Sequence, residues 1–317
     1  MRRPVRSTPA GEHRPVLLDA VLEFLDLQPG DSVADCTLGW AGHSAEMLRR
    51  IGPTGRLLGM DLDADNLSRA RERLTTIGNP FSLHHSNFAA VQTVLAETGV
   101  ERVDAVLADL GMSSMQVDDP ERGFSYVRDG PLDMRMDRSR GRPASAVLAT
   151  IEEKELARAL REFGDEPDAE RVAAALVRAR TQSPLERTSH VSRVLMDLQS
   201  ESGRTQPWRL RPASGKWELH PAARTFQALR ILVNRELANL EQLLRVLPAL
   251  LAPGGRVAII SFHSGEDRLV KAAFRAGEHS GVYDNVSPDP IRASYAERTA
   301  NPRSRSAKLR VARRKPA

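Results

Sequence analysis

The segment RVDAVLADLGMSS, residues 102–114, holds the pattern around which the rest of the chain is arranged. Val103 to Ala108 read as a buried β-strand, and this pattern stops at Asp109, where small and flexible residues begin. The strand therefore ends on a carboxylate. In open α/β sheets, ligands bind at the carboxyl ends of the strands, so Asp109 is a candidate site residue. The alternative is a strand-end aspartate that only caps the following turn.

Composition sets the broad class of the protein. The 317 residues, 41% of them hydrophobic, are enough for about two domains or for one enlarged α/β domain with an insertion. We expect a soluble protein, because no apolar run approaches the ~18 residues of a membrane span. A single cysteine, Cys36, excludes a disulfide within one chain and suggests a reducing compartment. The basic segment Met1–Pro9 is predicted to be a frayed arm and not a secretory signal.

A strand, a glycine-bearing turn and a helix precede the central segment. Ser32 to Cys36 read as the strand, and the turn after it places Thr37, Gly39 and Gly42 on the G-x-G-x-x-G template of nucleotide sites. Since Thr37 replaces the first glycine, the match is weak by itself. The next strand ends at Asp61, about twenty residues further on, where an acid usually accepts hydrogen bonds from ribose hydroxyls.

Two further strands extend the pattern. A third strand, Phe81–His85, is followed by Phe88, which is predicted either to stack on a base or to pack in the core. His84 and His85 point to opposite faces of a strand, so we predict no metal site there. With the strand that ends at Asp109, four successive strands separated by helices predict a right-handed, parallel sheet.

These features fit an adenosyl pocket better than a nicotinamide pocket. A hydride-transfer enzyme needs room for a second nucleotide beyond the fourth strand, and here Asp109 and the residues after it occupy that place. We therefore predict S-adenosyl-L-methionine as the cofactor. A nicotinamide oxidoreductase is the disfavoured alternative.

A predicted helical insertion then interrupts the alternation of strands and helices. Residues 112–221 contain helical patterns without a strong strand. A long helix with one apolar stripe, Ala223–Leu247, and a fifth strand, Arg256–Phe262, resume the sheet. The predicted domains are a discontinuous α/β domain, residues 1–111 and 222–317, and the inserted helical domain.

Basic residues collect near the carboxyl terminus. Residues 301–317 carry seven lysines and arginines and no acid, in a chain whose net charge is +5. Such a segment is either a phosphate contact or a solvated tail. Leu309 and Val311 alternate with polar neighbours, which predicts an edge strand with one buried side. His263, after the fifth strand, is a candidate for packing or for phosphate contact.

A series of ordered segments forms a specific combination. The segments are His13–Leu18, Gly42–Ser44, Asp109–Gly111 with Ser113–Ser114, Glu121–Ser125, Gly130–Asp137, Arg224–Ile231, Ser261–Ser264 with Glu266–Arg268, and Asn301–Arg303. Over nearly the whole chain, they resemble the RsmH (MraW) family of bacterial 16S rRNA cytosine-N4 methyltransferases. The resemblance implies a class I, Rossmann-like S-adenosylmethionine-dependent methyltransferase fold with an inserted helical domain. It also implies methylation of a decoding-centre cytidine of 16S rRNA in the small ribosomal subunit, in the cytoplasm.

The family's cofactor contacts correspond to a defined set of positions in this sequence. They are Ala41, Gly42, His43, Asp61, Phe88, Asp109 and Gln116. The family usually has glycine where Cys36 and Ala41 stand, threonine where Ala223 stands and leucine where Gly265 stands. Ala41 adds a Cβ where the backbone approaches the cofactor, so a positive φ there would be strained. We expect weaker cofactor binding without loss of function.

Asp109 is the predicted catalytic residue. The N4 amine of cytosine is a poor nucleophile, because its lone pair is conjugated with the ring. Asp109, ionised at neutral pH from a reference pKa of about 3.9, is predicted to hold an N4 hydrogen and to accept a proton. The alternative is that Asp109 only orients the amino group of the cofactor.

The rRNA is predicted to be held through its phosphates. The helical insertion and the basic carboxyl-terminal strand, through Arg310, Arg313 and Arg314, are the predicted contacts. A catalytically silent rRNA-binding assembly factor with the same fold is the remaining alternative. The sequence leaves the oligomeric state undecided, and no membrane partner is expected.

Overall fold

The structure is a computed structural model that describes residues 15–201 and 220–317. The predicted frayed arm, together with His13 and Arg14 of the first family segment, lies outside the described residues. The described residues fall into two compact units. The sheet unit lies within Met1–Gly111 and Ala238–Ala317, and the helical unit lies within Met112–Leu237.

Within the described residues, the sheet unit contains a seven-stranded sheet. Its strands are β1 (Ser32–Asp35), β2 (Arg56–Asp61), β3 (Phe81–His85), β4 (Val103–Asp109), β5 (Leu251–Ser261), β6 (Tyr283–Val286) and β7 (Lys308–Arg314). The order is β3-β2-β1-β4-β5-β7-β6. The first five strands pair in parallel, and β7 runs antiparallel to both of its neighbours. The predicted Rossmann-like α/β sheet is confirmed.

The helices follow in chain order. They are α1 (Leu18–Leu25), α2 (Gly42–Ile51), α3 (Ala64–Thr75), α4 (Val91–Glu97), α5 (Ser114–Asp118), α6 (Ala144–Thr150), α7 (Glu153–Gly164), α8 (Ala169–Gln182), α9 (Thr188–Glu201), α10 (Ala223–Asn234), α11 (Glu236–Leu250), α12 (Ser264–His279) and α13 (Tyr295–Ala300). Short 3-10 helices cover Phe88–Ala90, Pro120–Arg122 and Pro302–Arg305. In the described residues, no helix is both long enough and apolar enough to cross a membrane.

Helices cover both faces of the sheet. One core lies between the sheet and α1, α2 and α3, and the other lies between the sheet and α4, α11 and α12. The central strand β4 is buried on both faces, with Val103 and Ala105 to Ala108 all inaccessible. A strand covered on both sides carries apolar residues at successive positions, which is why the 103–108 run is nearly continuous in the sequence.

The helical unit has a core of its own, built from α6 to α10 and from the loop between α5 and α6. Two glycines of that loop are required by close backbone contacts. Gly123 has φ +73°, and a Cβ there would meet the carbonyl oxygen of Pro131. A Cβ on Gly130 would overlap the carbonyl oxygen of Pro120. These contacts explain the glycines in two of the family segments.

The predicted single helix over Ala223–Leu247 is wrong. Arg235 has φ 53° and ends α10, so the backbone turns before α11 begins. The apolar stripe is accordingly divided, because Phe226 and Leu229 pack in the helical core while Leu240 and Leu244 pack against the sheet. Along the chain, the boundary between the two compact units falls between residues 237 and 238. The sequence predicted it between residues 221 and 222.

The predicted edge position of the carboxyl-terminal strand is also wrong. β7 lies between β5 and β6, and the four residues from Leu309 to Ala312 are all buried. The sequence did not predict β6, because a four-residue strand containing Asp284 and Asn285 has no clear apolar alternation.

Candidate functional site

Three acidic side chains lie at the carboxyl ends of neighbouring strands. Asp35 ends β1, Asp61 ends β2 and Asp109 ends β4. Because β2, β1 and β4 are adjacent and parallel, their carboxyl ends meet at one edge of the sheet. The predicted strand-end positions of Asp61 and Asp109 are confirmed, and Asp35 joins them.

Asp35 holds the turn between β1 and α2. One carboxylate oxygen accepts the backbone N–H of Thr37 at 3.0 Å, and the other accepts the hydroxyl of Ser44 at 2.6 Å. Burial raises the pKa of Asp35 to about 6, and the two hydrogen bonds oppose that rise. Sequence reasoning missed Asp35, although the rule that selected Asp109, an acid at the end of an apolar strand, applies equally to it.

The turn contains two residues in the left-handed region. Gly39 has φ 52° and Ala41 has φ 56°. The N–H of Gly39 donates to Oδ2 of Asp61 at 2.7 Å, which ties the turn to the end of β2. Ala41 precedes α2, Gly42 opens the helix, and the Ala41 methyl is fully buried. The sequence predicted backbone strain at Ala41 if its φ were positive, and the φ is positive. A residue with a Cβ in the left-handed region costs roughly 1–2 kcal/mol.

Asp61 also fixes the start of α3. Its Oδ1 accepts the N–H of Asp63 at 2.8 Å and the side-chain amide of Asn66 at 3.2 Å. Burial raises the pKa of Asp61, and the hydrogen bonds from Asp63 and Gly39 oppose the rise. Each carboxylate oxygen has two acceptor directions, so Oδ2 can accept a second hydrogen bond beside the one from Gly39.

His43 directs one ring nitrogen at Asp109. Its Nε2 lies 2.9 Å from the carbonyl oxygen of Val16. A carbonyl only accepts, so Nε2 carries the hydrogen and Nδ1 carries a lone pair. Nδ1 lies 3.8 Å from Oδ2 of Asp109. Burial lowers the pKa of His43 to about 4, although the bond to Val16 acts in the opposite direction, so the imidazole is neutral at pH 7.

Asp109 has a strongly raised pKa. Burial, followed by the negative charges of Asp35 and Glu266, raises the pKa of Asp109 to about 8. The side chain is 24% exposed, and water at that surface moderates the rise without reversing it. The prediction that Asp109 is ionised at neutral pH is wrong for this structure, because a reference pKa omits burial and the two neighbouring acids.

The two oxygens of Asp109 differ in their surroundings. Oδ2 faces His43, whereas Oδ1 is buried and has no hydrogen-bond partner among the described residues. The backbone N–H of Asp109 donates to the hydroxyl oxygen of Thr37 at 2.6 Å, so the residue is anchored through its main chain. A buried acceptor without a donor is costly, which marks Oδ1 as an atom suited to bind a donor from a ligand.

Glu266 is a further acid near Asp109 that sequence reasoning missed. It is buried in the first turn of α12, and its Oε2 accepts the N–H of Phe262 at 2.8 Å. His263 caps the same helix, with Nδ1 accepting the N–H of Glu266 at 3.4 Å. Of the two roles predicted for His263, this position supports packing. The signal in the sequence is the capping-box spacing from His263 to Glu266.

Phe88 and Gln116 have structural partners of their own. Phe88 opens the 3-10 helix after β3 and packs, half-buried, against the core beside α4. Gln116 is buried in the helical unit, where its side-chain oxygen accepts the N–H of Ser113 at 3.0 Å. The hydroxyl of Ser113 accepts the N–H of Gln116 at 3.3 Å in return, which completes a capping box. The cofactor roles of Phe88 and Gln116 stay predictions.

The basic strand β7 differs from its predicted role. Arg310 is 4% exposed, and its Nε donates to Asp267 at 2.7 Å. Lys308 lies 3.4 Å from the same carboxylate. Burial raises the pKa of Asp267, but the bonds and charges of Arg310 and Lys308 exceed that effect and hold it below its usual value. Arg310 is therefore an internal ion-pair partner, and the prediction that it contacts rRNA phosphates is wrong.

The other two arginines of the predicted phosphate contact also have partners in the sheet unit. Arg313 pairs with Asp284 at 2.9 Å, and Arg314 donates to the carbonyl of Leu251. Unlike Arg310, the Arg313 side chain is 43% exposed. The three arginines of β7 therefore bind partners within the sheet unit.

The structure brings most of the predicted cofactor residues together. Five of them lie at the carboxyl ends of the strands: Ala41, Gly42, His43, Asp61 and Asp109. Phe88 follows the neighbouring strand β3, and Gln116 belongs to the helical unit. In the part of the chain that the structure describes, no group of three or more His, Cys, Asp or Glu side chains forms a metal site. The edge therefore offers a proton-holding carboxyl, a neutral imidazole and a turn that leads into a helix N-terminus.

Comparison with known proteins gives a consistent result. The model of the MraW methylase family matches residues 10–315. A Geobacter sp. (strain M21) protein named ribosomal RNA small subunit methyltransferase H is 44% identical, over 94% of this chain and 97% of that protein. A Symbiobacterium thermophilum protein with the same name is 43% identical, over 95% of this chain and 96% of that protein.

Two solved structures are similar in outline. A putative rRNA methylase from Clostridium thermocellum has a TM-score of 0.44 and 12% identity, with 94% of this chain and 93% of that chain covered. SMU.1697c from Streptococcus mutans, a putative methyltransferase in complex with SAH, has a TM-score of 0.44 and 10% identity, with 94% and 97% covered.

Proposed function

This chain belongs to the MraW methylase family, and we propose that it transfers a methyl group from S-adenosyl-L-methionine to the N4 amine of a decoding-centre cytidine of 16S rRNA. One observation carries the proposal. At the end of β4, Asp109 holds a buried oxygen that accepts no hydrogen bond from any described residue. The names of the relatives support rRNA of the small subunit as the substrate.

The residues at the sheet edge fit the cofactor. Ala41, Gly42 and His43 form the turn and the first residues of α2, and a helix N-terminus suits the carboxylate of the methionine part. Asp61 has acceptor capacity for a ribose hydroxyl. When bound, the cofactor supplies a methyl group made electrophilic by its sulfonium charge. Phe88 is proposed to lie beside the adenine, and Gln116 stays a proposed contact on the resemblance alone.

Asp109 is proposed to activate the amine. The N4 lone pair becomes available only when the nitrogen leaves conjugation with the ring, and an acceptor for one N–H favours that change. Oδ1 of Asp109 has the required acceptor capacity. A bound cofactor would supply the methyl group and would keep the electron pair of its S–C bond on sulfur, and Asp109 would accept the proton that the amine loses. General-base assistance of this kind contributes about 10² to 10⁴ in rate.

The proposed reaction requires a change in the protonation state of Asp109. In the structure described, its pKa of about 8 keeps the carboxyl largely protonated at neutral pH. A positive charge within about 4–6 Å lowers a carboxyl pKa, so a cationic cofactor held beside Asp109 would favour the ionised form that can accept a proton. Without a neighbouring cation, burial favours the protonated carboxyl. Asp109 is thus suited to keep the proton that it accepts.

The experiment is methylation of small ribosomal subunits from a strain that lacks this protein, with labelled cofactor and mass spectrometry of the nucleosides. The proposal predicts N4-methylcytidine at one decoding-centre position of 16S rRNA. A methyl group on another base or atom contradicts the assignment of the amine. Subunit binding without methyl incorporation supports the silent assembly factor instead.

A further inference from the structure

The residues before α1 lie against the cofactor turn. Pro15 packs on Gly42 so closely that a Cβ at this glycine would lie 2.7 Å from the proline ring. The carbonyl of the next residue, Val16, accepts the Nε2 hydrogen of His43 at 2.9 Å. Pro15 to Leu17, here called the clamp segment, therefore contacts two of the residues proposed to hold the cofactor.

The clamp segment has a backbone conformation that needs support from outside. Leu17 has φ 56° and ψ 28°, and α1 starts after it with no side-chain cap. A leucine rarely adopts this left-handed conformation. The N–H of Leu17 donates to Oε1 of Glu297 at 2.7 Å, across a separation of 280 residues. A bond to a carboxylate is stronger than one between neutral groups, so Glu297 is well suited to hold Leu17.

Glu297 is itself held in place by α13. Its N–H donates to the hydroxyl of Ser294, the N-cap of the helix, at 3.1 Å. In a capping box, a glutamate at this helix position turns back to its own N-cap. Here the Glu297 carboxylate reaches the start of α1 instead. Ala293 and Ala307, which flank this region, are buried in the same core as Val16 and Leu17.

We propose that Glu297 is a positioning residue for the cofactor turn. It fixes Leu17 and with it the adjacent carbonyl of Val16, which selects the tautomer of His43. His43 in turn presents the Nδ1 lone pair to Asp109 at 3.8 Å. This inference rests on the proposed roles of His43 and Asp109, and it adds a residue that touches neither cofactor nor rRNA in its proposed role.

The test compares three variants of the full-length protein. Glu297→Ala removes the acceptor for the Leu17 N–H, and Glu297→Gln keeps an oxygen that accepts it. Glu278→Ala, in an exposed position of α12, removes the same charge without touching the clamp segment. Calorimetry with S-adenosylmethionine alone measures cofactor affinity, and ¹⁵N NMR of the imidazole reports the tautomer of His43.

The proposal predicts a graded result. Glu297→Ala raises the Kd for the cofactor about tenfold, the equivalent of one hydrogen bond to a charged group. It also converts the fixed Nε2–H signature of His43 into a mixture of tautomers. Glu297→Gln stays within about threefold of the wild type because its amide oxygen replaces the carboxylate. Glu278→Ala leaves both the Kd and the spectrum unchanged.

Three results contradict the proposal. The first is a folded Glu297→Ala variant whose Kd and His43 spectrum match those of Glu278→Ala. The second is a wild-type protein whose His43 carries its hydrogen on Nδ1, a measurement that does not depend on any variant. The third is a folded Glu297→Gln variant with cofactor affinity reduced tenfold or more. Because every measurement uses the cofactor without rRNA, an error in the proposed target base leaves these results unaffected.

Discussion

Nδ1 of His43 lies 3.8 Å from Oδ2 of Asp109, and at neutral pH the imidazole is uncharged and the carboxyl largely protonated. Burial lowers the pKa of the base and raises the pKa of the acid, so the proton stays with Asp109. A neutral pair of this kind carries no positive charge that would repel a sulfonium group. Asp109 can respond to such a cation by releasing its proton.

The raised pKa of Asp109 predicts a pH-dependent stability difference. The folded state keeps a proton up to about pH 8, whereas the unfolded chain releases it near pH 4. Stability from this group is therefore complete below about pH 4 and falls as pH rises to 8. Asp109→Asn removes that dependence. The unfolding free energy of the variant minus that of the wild type should therefore increase by at least ~1 kcal/mol from pH 5 to pH 9.

Urea unfolding of both proteins at the two pH values measures this difference. Other titrating groups are common to both proteins, so their contributions cancel in the comparison. A difference in unfolding free energy that is equal at pH 5 and pH 9 contradicts the raised pKa.

The left-handed conformation of Ala41 predicts the effect of restoring glycine. Ala41→Gly relieves roughly 1–2 kcal/mol of backbone strain. It also removes a buried methyl worth about 0.8 kcal/mol. We therefore expect the unfolding free energy to change by less than about 1 kcal/mol. Cofactor affinity rises severalfold, since the turn then reaches the binding conformation without the Cβ. Calorimetry measures the affinity, and weaker binding by the glycine variant contradicts the prediction.

The end of α10 predicts a stabilising substitution. Arg235 is exposed and has φ 53° at the position after the helix, where glycine is strongly favoured. Arg235→Gly should raise the unfolding free energy by about 0.5–1 kcal/mol. Arg235→Ala is the matched control, because it removes the same side chain and keeps the Cβ. Equal thermal midpoints for the two variants would show that the left-handed backbone is not the cause.

The buried pair of Arg310 and Asp267 predicts a structural effect where the sequence predicted an RNA contact. Arg310→Ala leaves Asp267 without its closest cation and should cost about 3–5 kcal/mol of stability. Arg305→Ala, at an exposed position of the same segment, should cost less than about 0.5 kcal/mol. Thermal unfolding measures both. A stable Arg310→Ala variant with reduced salt dependence of rRNA binding would restore the phosphate-contact role.

This Arg310 pair also has a defined pH dependence. Its bonds hold the pKa of Asp267 below the usual value. The stability that the pair contributes is therefore present above the unfolded pKa, near pH 4, and is lost as pH falls through the lower folded pKa.

Much of the sheet unit was predictable from the sequence, because its information is local. The strands that end at Asp61 and Asp109 are each recognisable in the sequence as an apolar run followed by an acid. The helices between successive strands predict that the strands run parallel. β6 and the break at Arg235 were not predictable in this way. The short strand β6 has no apolar alternation. An arginine gives no sequence signal for the left-handed backbone conformation found at Arg235.

The charge states of the site were beyond the sequence for a different reason. The pKa of Asp109 depends on Asp35 and Glu266, which lie far from it along the chain. Likewise, the tautomer of His43 depends on the Val16 carbonyl, and the fate of the Arg310 charge depends on Asp267. Such pairings arise only when the sheet brings distant segments together.

The most direct test of the account is the single-turnover methylation rate of Asp109→Asn on small ribosomal subunits, measured with cofactor and subunits both saturating. The account predicts weaker cofactor binding, because the variant lacks the carboxylate that a neighbouring cation favours, and a rate of methyl transfer at saturation that falls by about 10² to 10⁴. A variant that binds cofactor more weakly but transfers the methyl group at the wild-type rate once bound would contradict the proton-accepting role and leave Asp109 as an orienting group.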